Sequence, residues 1–359
     1  MNIKDIIILG AGASKADKAP LQKELFMEFF ERQTSKEKAE TSSKEKTQEK
    51  KEQERKIINF FKDFWGINRN NYQKVEFPTF EECLGVLDLA YLRRESFKGY
   101  TEEDIEEVRN ALKFLVGKIL NEKLREKRTH HEKLVKRLEK EGKLKQTAFI
   151  SLNYDILIDN CLMRPGFHPD YGIAFANSKR PNKNKSVLLL KIHGSLNWLY
   201  CPTCNQMKLI LKKEKKGAVV TNKGAAEAFY ESKKCQVCDT PMKPVIVPPT
   251  FYKEMSNPFI QEIFLKADKV LREAERIYIC GYSFPDADMH IKYLFKKAEI
   301  FRGETPEIFV INKPKDGSNQ QKEKEGENTE KKQFMRFFKN KKKVHYTGLA
   351  FEEFSERGF

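Results

Sequence analysis

Four cysteines fall in two close pairs, and their spacing is that of a metal site. Cys201 and Cys204 form the first pair, Cys235 and Cys238 form the second, and 30 residues separate the two pairs. The two residues inside each pair let both sulfurs turn toward one ion. Four thiolates fill a tetrahedral shell and leave no position for water, so the pattern predicts a structural zinc site. The other three cysteines are expected to be core thiols: Cys83, Cys161 and Cys280.

A glycine turn follows the first apolar run of the chain. Residues 3–9 are predicted to form a strand, the segment Gly10-Ala11-Gly12-Ala13-Ser14 follows it, and a helix is expected around residues 20–33. Such a turn lets backbone N–H groups approach a phosphate at a helix N-terminus. Lys15 replaces the third glycine of the dinucleotide-binding fingerprint. On its own, the motif is compatible with a nucleotide site and with a simple tight turn.

Two polar residues follow the predicted strand over residues 147–152. Asn153 and Asp155 are two apart, so their side chains would point the same way if the strand continued. Ligands of open α/β sheets bind at the carboxyl ends of strands, which makes this pair a candidate for a binding pocket. The alternative is structural, because either residue could cap a helix over residues 156–163.

A histidine ends another apolar strand, predicted over residues 187–192. His193 precedes Gly194, and at the end of a strand it is well placed for acid–base chemistry. A structural, hydrogen-bonded histidine is the alternative. The first cysteine pair begins only eight residues later, which links His193 to the metal module in sequence.

Two further polar segments follow predicted strands. Gly281-Tyr282-Ser283 comes directly after the strand predicted over residues 276–280, and Asn312 ends the strand predicted over residues 307–311. Three residues after the first of these turns could ligate a metal: Asp286, Asp288 and His290. A loop whose Asp288 caps the next helix is the simpler interpretation.

Predicted strands alternate with predicted helices at residues 256–274 and 288–301, which is typical of a parallel sheet covered on both faces. The sequence therefore predicts an α/β fold, a Rossmann-like parallel sheet with a small zinc-ribbon module and a helical insertion. The predicted division of the chain is a Rossmann-like core over 1–33, 147–200, 244–314 and 343–359, a charged flexible insertion over 34–56, a helical insertion over 57–146, a zinc-binding module over 201–243 and a low-complexity loop over 315–342.

The order of these motifs resembles that of sirtuins. The glycine turn, Asn-x-Asp, His-Gly, the two cysteine pairs, Gly-Tyr-Ser and a strand-ending asparagine follow one another with similar spacing. The resemblance covers the α/β core and the zinc module, and it leaves out the helical insertion and the two charged stretches. It implies NAD as the substrate and a structural zinc ion at the four cysteines.

The resemblance also implies a role for each residue at the strand ends. In chain order, these are Gly10, Ala11, Gly12 and Ser14 at the NAD pyrophosphate, Asn153 and Asp155 in the nicotinamide and ribose pocket, His193 as the catalytic histidine beside the nicotinamide ribose, Gly281, Tyr282 and Ser283 over the phosphates, and Asn312 at the adenosine ribose.

Three departures from the sirtuin pattern concern the site. Leu152 replaces the glutamine that precedes the sirtuin asparagine, and residues 16–26 replace an acidic, arginine-containing loop. The segment 248–252 replaces the Phe-Gly-Glu segment that helps to clamp an acetyl-lysine peptide. The half of the pattern that binds NAD is kept and the half that binds a peptide is not, which argues against protein deacetylation.

The overall pattern resembles that of bacterial sirtuin-like antiphage effectors, in its Gly-Ala-Gly-Ala-Ser start, Asn-Tyr-Asp, His-Gly-Ser-Leu-Asn-Trp and Gly-Tyr-Ser-Phe-Pro segments. Such proteins cleave NAD, often as large oligomers, and some of them work with a HerA-type hexameric ATPase. We therefore expect an NAD hydrolase (NADase) that releases nicotinamide and ADP-ribose. The alternatives are an NAD-dependent protein deacylase or ADP-ribosyltransferase, and a non-catalytic module that senses NAD or ADP-ribose. The expected partners are further copies of the chain and a HerA-type ATPase.

Composition sets broader limits. The 359 residues include 27 Phe and 12 Tyr, enough for a substantial core, so a wholly disordered chain is excluded. The formal net charge is +16, and residues 122–145 hold ten Lys/Arg against five Glu, which could bind nucleic acid or form only a solvated helix face. No apolar run approaches the roughly 20 residues of a membrane-spanning helix, and no signal peptide is recognised, so a cytoplasmic location is expected.

Overall fold

The computed structural model describes residues 3–37, 48–123, 130–163, 165–178, 182–214, 217–220, 234–247, 257–286, 288–313 and 330–358. Several predicted features lie outside these residues. They are the segment 248–252, residues 38–47 of the charged insertion, residues 124–129 of the basic stretch and residues 315–329 of the low-complexity loop.

The strands are β1 (Asp5–Leu9), β2 (Thr147–Ser151), β3 (His168–Asp170), β4 (Ser186–Lys191), β5 (Gly194–Cys201), β6 (Gln206–Leu209), β7 (Leu211–Glu214), β8 (Gly217–Val220), β9 (Lys243–Ile246), β10 (Arg276–Cys280), β11 (Glu307–Ile311) and β12 (Val344–Tyr346). The helices are α1 (Ala11–Ala16), α2 (Gln22–Glu37), α3 (Gln48–Trp65), α4 (Phe80–Arg93), α5 (Glu102–Lys123), α6 (His130–Lys140), α7 (Leu157–Met163), α8 (Pro258–Glu273), α9 (Met289–Arg302), α10 (330–337) and α11 (Phe351–Arg357). Among the described residues, no helix is long and apolar enough to cross a membrane.

The main sheet confirms the predicted α/β class. Within the described residues it has seven parallel strands in the order β12-β11-β10-β1-β2-β4-β3. All residues of β1 and β2 are buried, which is why these strands read as nearly continuous apolar runs. Because β1 lies between β2 and β10, the turns that follow these three strands meet at one edge of the sheet.

The helices between β1 and β2 form a second core. Its buried side chains come mainly from α2, α3, α4 and α5, and many of them are aromatic. Phe26 and Phe61, for example, pack edge to face with ring centroids 4.6 Å apart. The insertion is therefore a packed helical layer, as its periodicity predicted.

Both described ends of the predicted charged insertion are helical. Residues 34–37 belong to α2 and residues 48–56 to α3, so the predicted flexible insertion over 34–56 is wrong in these parts. Lys, Glu and Gln are good helix formers, and a helix anchored by buried Ile57, Phe60 and Phe61 continues through them toward its N-terminus.

The predicted loop over 315–342 is wrong from residue 330 onward. Residues 330–337 form α10, and Phe334 and Phe338 are both buried. Phe334 stacks on Phe284 with ring centroids 4.6 Å apart. Met335 and Phe337 also pack against the core, so a short apolar cluster holds this end of the helix although the sequence before it is polar.

A small antiparallel sheet is inserted between β4 and β10 of the main sheet. Strands β6, β5 and β9 pair in that order, and β7 and β8 form a separate hairpin. Behind the small sheet lies a compact cluster of four buried residues: Leu199, Cys201, Cys235 and Met242. The predicted metal-binding cysteines therefore belong to a module with its own core.

Candidate functional site

A cavity of about 780 Å³ opens at the carboxyl edge of the main sheet, near β1, β2, β10 and β11. Its size is within the usual range for small-molecule sites. Every residue predicted to contact NAD lines it: Gly10, Ala11, Gly12, Ser14, Asn153, Asp155, His193, Gly281, Tyr282, Ser283 and Asn312. The turns that the sequence placed at separate strand ends therefore share one cavity.

Glycines allow two of these turns to touch. The N–H groups of Gly10 and Gly12 donate to the carbonyls of Cys280 and Gly281, at 2.9 and 2.8 Å. A Cβ atom on Gly281 would lie 2.0 Å from the backbone nitrogen of Ala13. The φ of Gly281, +63°, is also unfavourable for any residue other than glycine. The glycines thus bring two backbones into contact, and the N–H groups of Gly10 and Gly12 are already used within the protein.

Ser14 connects the first turn to the Asn-x-Asp segment. Its hydroxyl donates to Asp155 Oδ2 at 2.6 Å and accepts from Asn153 Nδ2 at 2.8 Å. Asn153 Nδ2 also donates to the Gly10 carbonyl at 2.8 Å. The three side chains form one network, with Ser14 and Asp155 buried and Asn153 partly buried, between residues about 140 positions apart in the chain.

Asp155 also holds the helix that follows it. Its Oδ1 accepts from the N–H of Leu157, the first residue of α7, at 3.0 Å. The helix-capping interpretation is therefore confirmed for Asp155, and it holds together with a place in the cavity wall. Both carboxylate oxygens have hydrogen-bond donors, and the residue is 4% exposed.

His193 follows β4 and is 4% exposed. Its Nδ1 lies 3.0 Å from the carbonyl oxygen of Leu152. Because a carbonyl can only accept, Nδ1 carries the proton and the lone pair of the neutral ring is on Nε2. Nε2 lies 3.0 Å from Nε2 of His290, the second residue of α9.

The two acidic residues before α9 lie in different environments. Asp288 is at the N-cap position of α9, but its carboxylate makes no capping bond and instead accepts from the Tyr282 hydroxyl at 3.0 Å. Asp286 is exposed and pairs with Lys292 at 2.6 Å. The structure thus brings Asp288 and His290 to His193 and leaves Asp286 outside the group.

Asn312 lies at the end of β11 and is 8% exposed. Its Nδ2 donates to the Tyr282 carbonyl at 2.9 Å and to Glu330. Its Oδ1 is buried and has no hydrogen-bond partner among the described residues. A buried acceptor without a donor is uncommon, and in a cavity wall it fits a ligand that offers a hydroxyl group.

Several residues near the site were not singled out from the sequence. Thr79, Phe80 and Glu81 at the start of α4 line the cavity, so the helical insertion contributes to its wall. The signal for this helix start was available, because Thr79 and Glu82 form a capping box. Glu330 lines the cavity from α10, inside the stretch that reads as a polar loop.

A buried lysine forms a hydrogen bond to the backbone of the Asn-x-Asp segment. Lys191 is fully buried, and its Nζ donates to the Asp155 carbonyl and to Asp159 Oδ2, the latter at 3.3 Å. Asp159 Oδ1 accepts from the Tyr171 hydroxyl at 2.6 Å. Burial, together with the Asp159 carboxylate, raises the pKa of Tyr171 well above its ordinary value. The signal in the sequence is a lone lysine that ends an apolar strand.

The four cysteines converge as predicted. Their sulfur atoms all lie within 4.8 Å of one another. The Sγ atoms of Cys201 and Cys238 are 3.5 Å apart, and those of Cys204 and Cys235 are 3.9 Å apart. Tetrahedral zinc with Zn–S bonds of about 2.3 Å places its sulfurs about 3.8 Å apart, so the cluster fits this ion. A hydrogen bond with Thr240 lowers the pKa of Cys238 to about 6, which favours a thiolate.

Comparison with known proteins agrees with this geometry. Residues 147–338, more than half of the chain, match the family model described as the SIR2-like domain. A search of curated proteins finds no match. The family match includes the Asn-x-Asp segment, His193, the four cysteines and the Gly-Tyr-Ser turn, and the glycine turn lies outside it. The chain therefore belongs to the SIR2-like, or sirtuin-like, family, whose functions are related to NAD.

Proposed function

We propose that the protein is an NAD hydrolase that produces nicotinamide and ADP-ribose. The observation that carries this proposal is the convergence of Asn153, Asp155 and His193 on one cavity that Asn312, at the end of a more distant strand, also lines. The unpartnered Oδ1 of Asn312 offers an acceptor to a ribose hydroxyl. The cavity therefore has polar groups suited to both ends of a dinucleotide.

The proposed chemistry follows from the charges that develop. When the bond between the ribose and the nicotinamide nitrogen breaks, the leaving ring takes the electron pair and the ribose carbon becomes cationic. The carboxylate of Asp155, held by Ser14 and Leu157, supplies a fixed negative charge near this pocket. Asn153, fixed by Gly10 and Ser14, orients the substrate.

His193 is the proposed general base. Its Nδ1–H bond to Leu152 fixes the ring with the lone pair on Nε2, which faces Nε2 of His290 at 3.0 Å. In the proposed reaction the substrate water displaces this contact, and Nε2 accepts a proton from the water, directly or through a ribose hydroxyl. The water oxygen then forms the new bond to the ribose carbon. The water proton moves to His193 and later returns to solvent, so the reaction consumes one NAD and one water and releases one proton.

Nicotinamide release from NAD by the purified protein tests the proposal. We expect release without any protein substrate, and a loss of about 10²–10⁴-fold in kcat for His193→Ala, the usual contribution of a general base. Asn153→Ala should also lose activity. His345→Ala is the matched control, because His345 is an exposed histidine that pairs with Glu307.

The same assay separates the alternatives. Release that requires a protein substrate would instead identify a deacylase or ADP-ribosyltransferase. NAD or ADP-ribose binding without release, also after the product of a neighbouring gene is added, would identify a sensing module. Full activity of His193→Ala would remove the assigned role of this histidine.

We also propose a cellular setting, which rests on the resemblance to antiphage effectors. NAD depletion during phage infection would stop replication, and a HerA-type ATPase would be the partner that controls it. Cells that express the wild type should resist phage, and cells that express Asn153→Ala should not. Equal resistance of both would contradict the role of NAD cleavage in defence.

The division of the chain carries a further proposal about assembly. In this proposal the Rossmann-like core contributes most of the NAD site, and the zinc module stabilises that core. The helical insertion is the proposed surface for further copies of the chain. Helix α4 supports this, since Val86, Leu89 and Leu92 are exposed at three-residue intervals. The basic stretch over 122–145 is a second proposed surface, for nucleic acid, and would show steep salt dependence.

A further inference from the structure

The strongest unassigned feature is a group of three metal-ligand side chains beside the NAD cavity. His193 lies after β4, and Asp288 and His290 lie at the start of α9. One potential ligand atom from each residue lies within 4.8 Å of the other two. Two histidines and one carboxylate are a common ligand set for divalent transition metals.

The spacing of the two histidines matches a shared ion. Their Nε2 atoms are 3.0 Å apart. Nitrogens bound side by side to one ion at about 2.0–2.1 Å lie about 2.9–3.4 Å from each other. The same separation also fits a hydrogen bond between two imidazoles, so the surroundings must distinguish the two arrangements.

The surroundings orient His193 and Asp288 in the way that metal sites require, and an aromatic ring lies beside His290. Histidine ligands usually donate their second N–H to a backbone carbonyl or a carboxylate, as His193 does to Leu152 at 3.0 Å. Ligating carboxylates are themselves hydrogen-bonded, as Asp288 is by the buried Tyr282 at 3.0 Å. Phe264 stacks near the His290 ring, with centroids 6.2 Å apart and planes at 29°.

The position also provides access and water. His193 and Asp288 line the cavity, which gives an ion a route to the group and leaves room for water in its remaining positions. Both residues are about 95% buried, so a bound ion would be largely shielded from bulk solvent.

We propose that His193, Asp288 and His290 form a second divalent-cation site, separate from the four cysteines, with zinc as the favoured ion. Binding uses the Nε2 lone pair of His193. If the proposed function holds, on which this part rests, bound zinc prevents His193 from accepting a proton and keeps the enzyme inactive. Removal of the ion restores the base.

Zinc stoichiometry tests the site without reference to activity. The wild-type protein, purified with a reducing agent and equilibrated with zinc, should hold two ions per chain. His290→Gln should hold one, because the cysteine cluster remains. Asp286→Asn, which changes an exposed neighbour outside the group, should hold two. A wild-type stoichiometry of one would overturn the proposal and leave a hydrogen-bonded histidine pair.

Cobalt replacement gives an independent measurement. Cobalt at the four cysteines produces thiolate charge-transfer absorption, and cobalt at the histidine site does not. A second equivalent bound by the wild type without added charge-transfer intensity supports the site. If the second equivalent binds equally well to His290→Gln, these residues are not the ligands and the proposal is wrong.

The inhibitory part has its own readout. Zinc should suppress nicotinamide release by the wild type, and a zinc-selective chelator should restore it. His290→Gln should need at least tenfold more zinc for half inhibition, measured against its own activity without zinc. Equal zinc sensitivity of both proteins would overturn the inhibition. If neither protein releases nicotinamide, the proposed function fails, and the zinc stoichiometry still decides the site.

Discussion

At the scale of single residues, the site contains a glycine that no other residue can replace without strain. Gly281 combines a positive φ with a backbone neighbour where a Cβ atom would lie. The contact fixes the distance between the turns after β1 and β10, both of which line the cavity. Its identity is therefore set by the packing of two backbones.

Two glycine substitutions separate the cost of a positive φ from the cost of a backbone clash. Gly142 has a φ of +67°, and a Cβ atom added there would meet no atom within 4 Å, so Gly142→Ala should cost about 1–2 kcal/mol of unfolding free energy from backbone strain alone. Gly281→Ala adds a backbone clash and should cost more than about 4 kcal/mol. Urea denaturation measures both, and equal losses would show that the clash relaxes.

At the scale of elements, a buried aspartate ties the glycine-turn helix to the end of the insertion. Asp17 follows α1 and accepts from the N–H groups of His130 and His131 at the start of α6, each at 3.0 Å. It also pairs with His131 Nδ1 at 2.6 Å. Although burial by itself raises the pKa of Asp17, these hydrogen bonds and the His131 charge hold it well below its ordinary value.

This junction gives the protein an acid-sensitive stability. A carboxyl group whose pKa is lowered by folding stabilises the folded state fully above its unfolded pKa, about 3.9, and the gain is lost as the pH falls toward the lowered pKa. Asp17→Asn should therefore cost about 3–5 kcal/mol at pH 7, the usual loss for a broken buried pair. The difference from wild type should shrink as the pH falls below about 3.9.

Denaturant unfolding between pH 7 and pH 3 checks this expectation. Glu356→Gln is the control, because it removes an exposed ion pair between Lys133 on α6 and Glu356 on α11. A constant difference between wild type and Asp17→Asn at all pH values would show that the negative charge of Asp17 does not stabilise the junction.

The elements also show what the sequence could and could not predict. Most of the long parallel strands were recognisable because they are largely apolar, and their carboxyl ends carry the residues predicted to contact NAD, whereas the short polar strand β3 was not predicted. Helix α10 was not predicted, because its apolar residues Phe334, Met335 and Phe337 come only at its end, after a long polar stretch. The link between His193 and His290 depends on how α9 packs, and no local pattern contains that information.

At the scale of the whole molecule, the apolar residues left exposed indicate where copies could meet. Helix α4 exposes Leu89 and Leu92, by 38% and 52%. Elsewhere α8 exposes Leu265 by 65%. Exposed apolar stripes of this kind are typical of association surfaces.

Paired substitutions test the proposed assembly surface. The double variant Leu89→Glu/Leu92→Glu should dissociate the oligomer, because it places charges in an apolar contact, and Leu265→Glu should leave it intact. Light scattering measures the mass of each protein. Dissociation by Leu265→Glu alone would move the interface to α8, and a monomeric wild type would contradict self-association.

One strand connects the two chemistries of the molecule. Strand β5 begins directly after His193 and ends at Cys201, the first residue of the cysteine cluster. Thiolates are among the groups in proteins that oxidants attack most readily. Oxidation that disrupts the cluster would therefore act on the strand that begins next to His193, and through it the redox state of the cell could reach the proposed NAD hydrolysis.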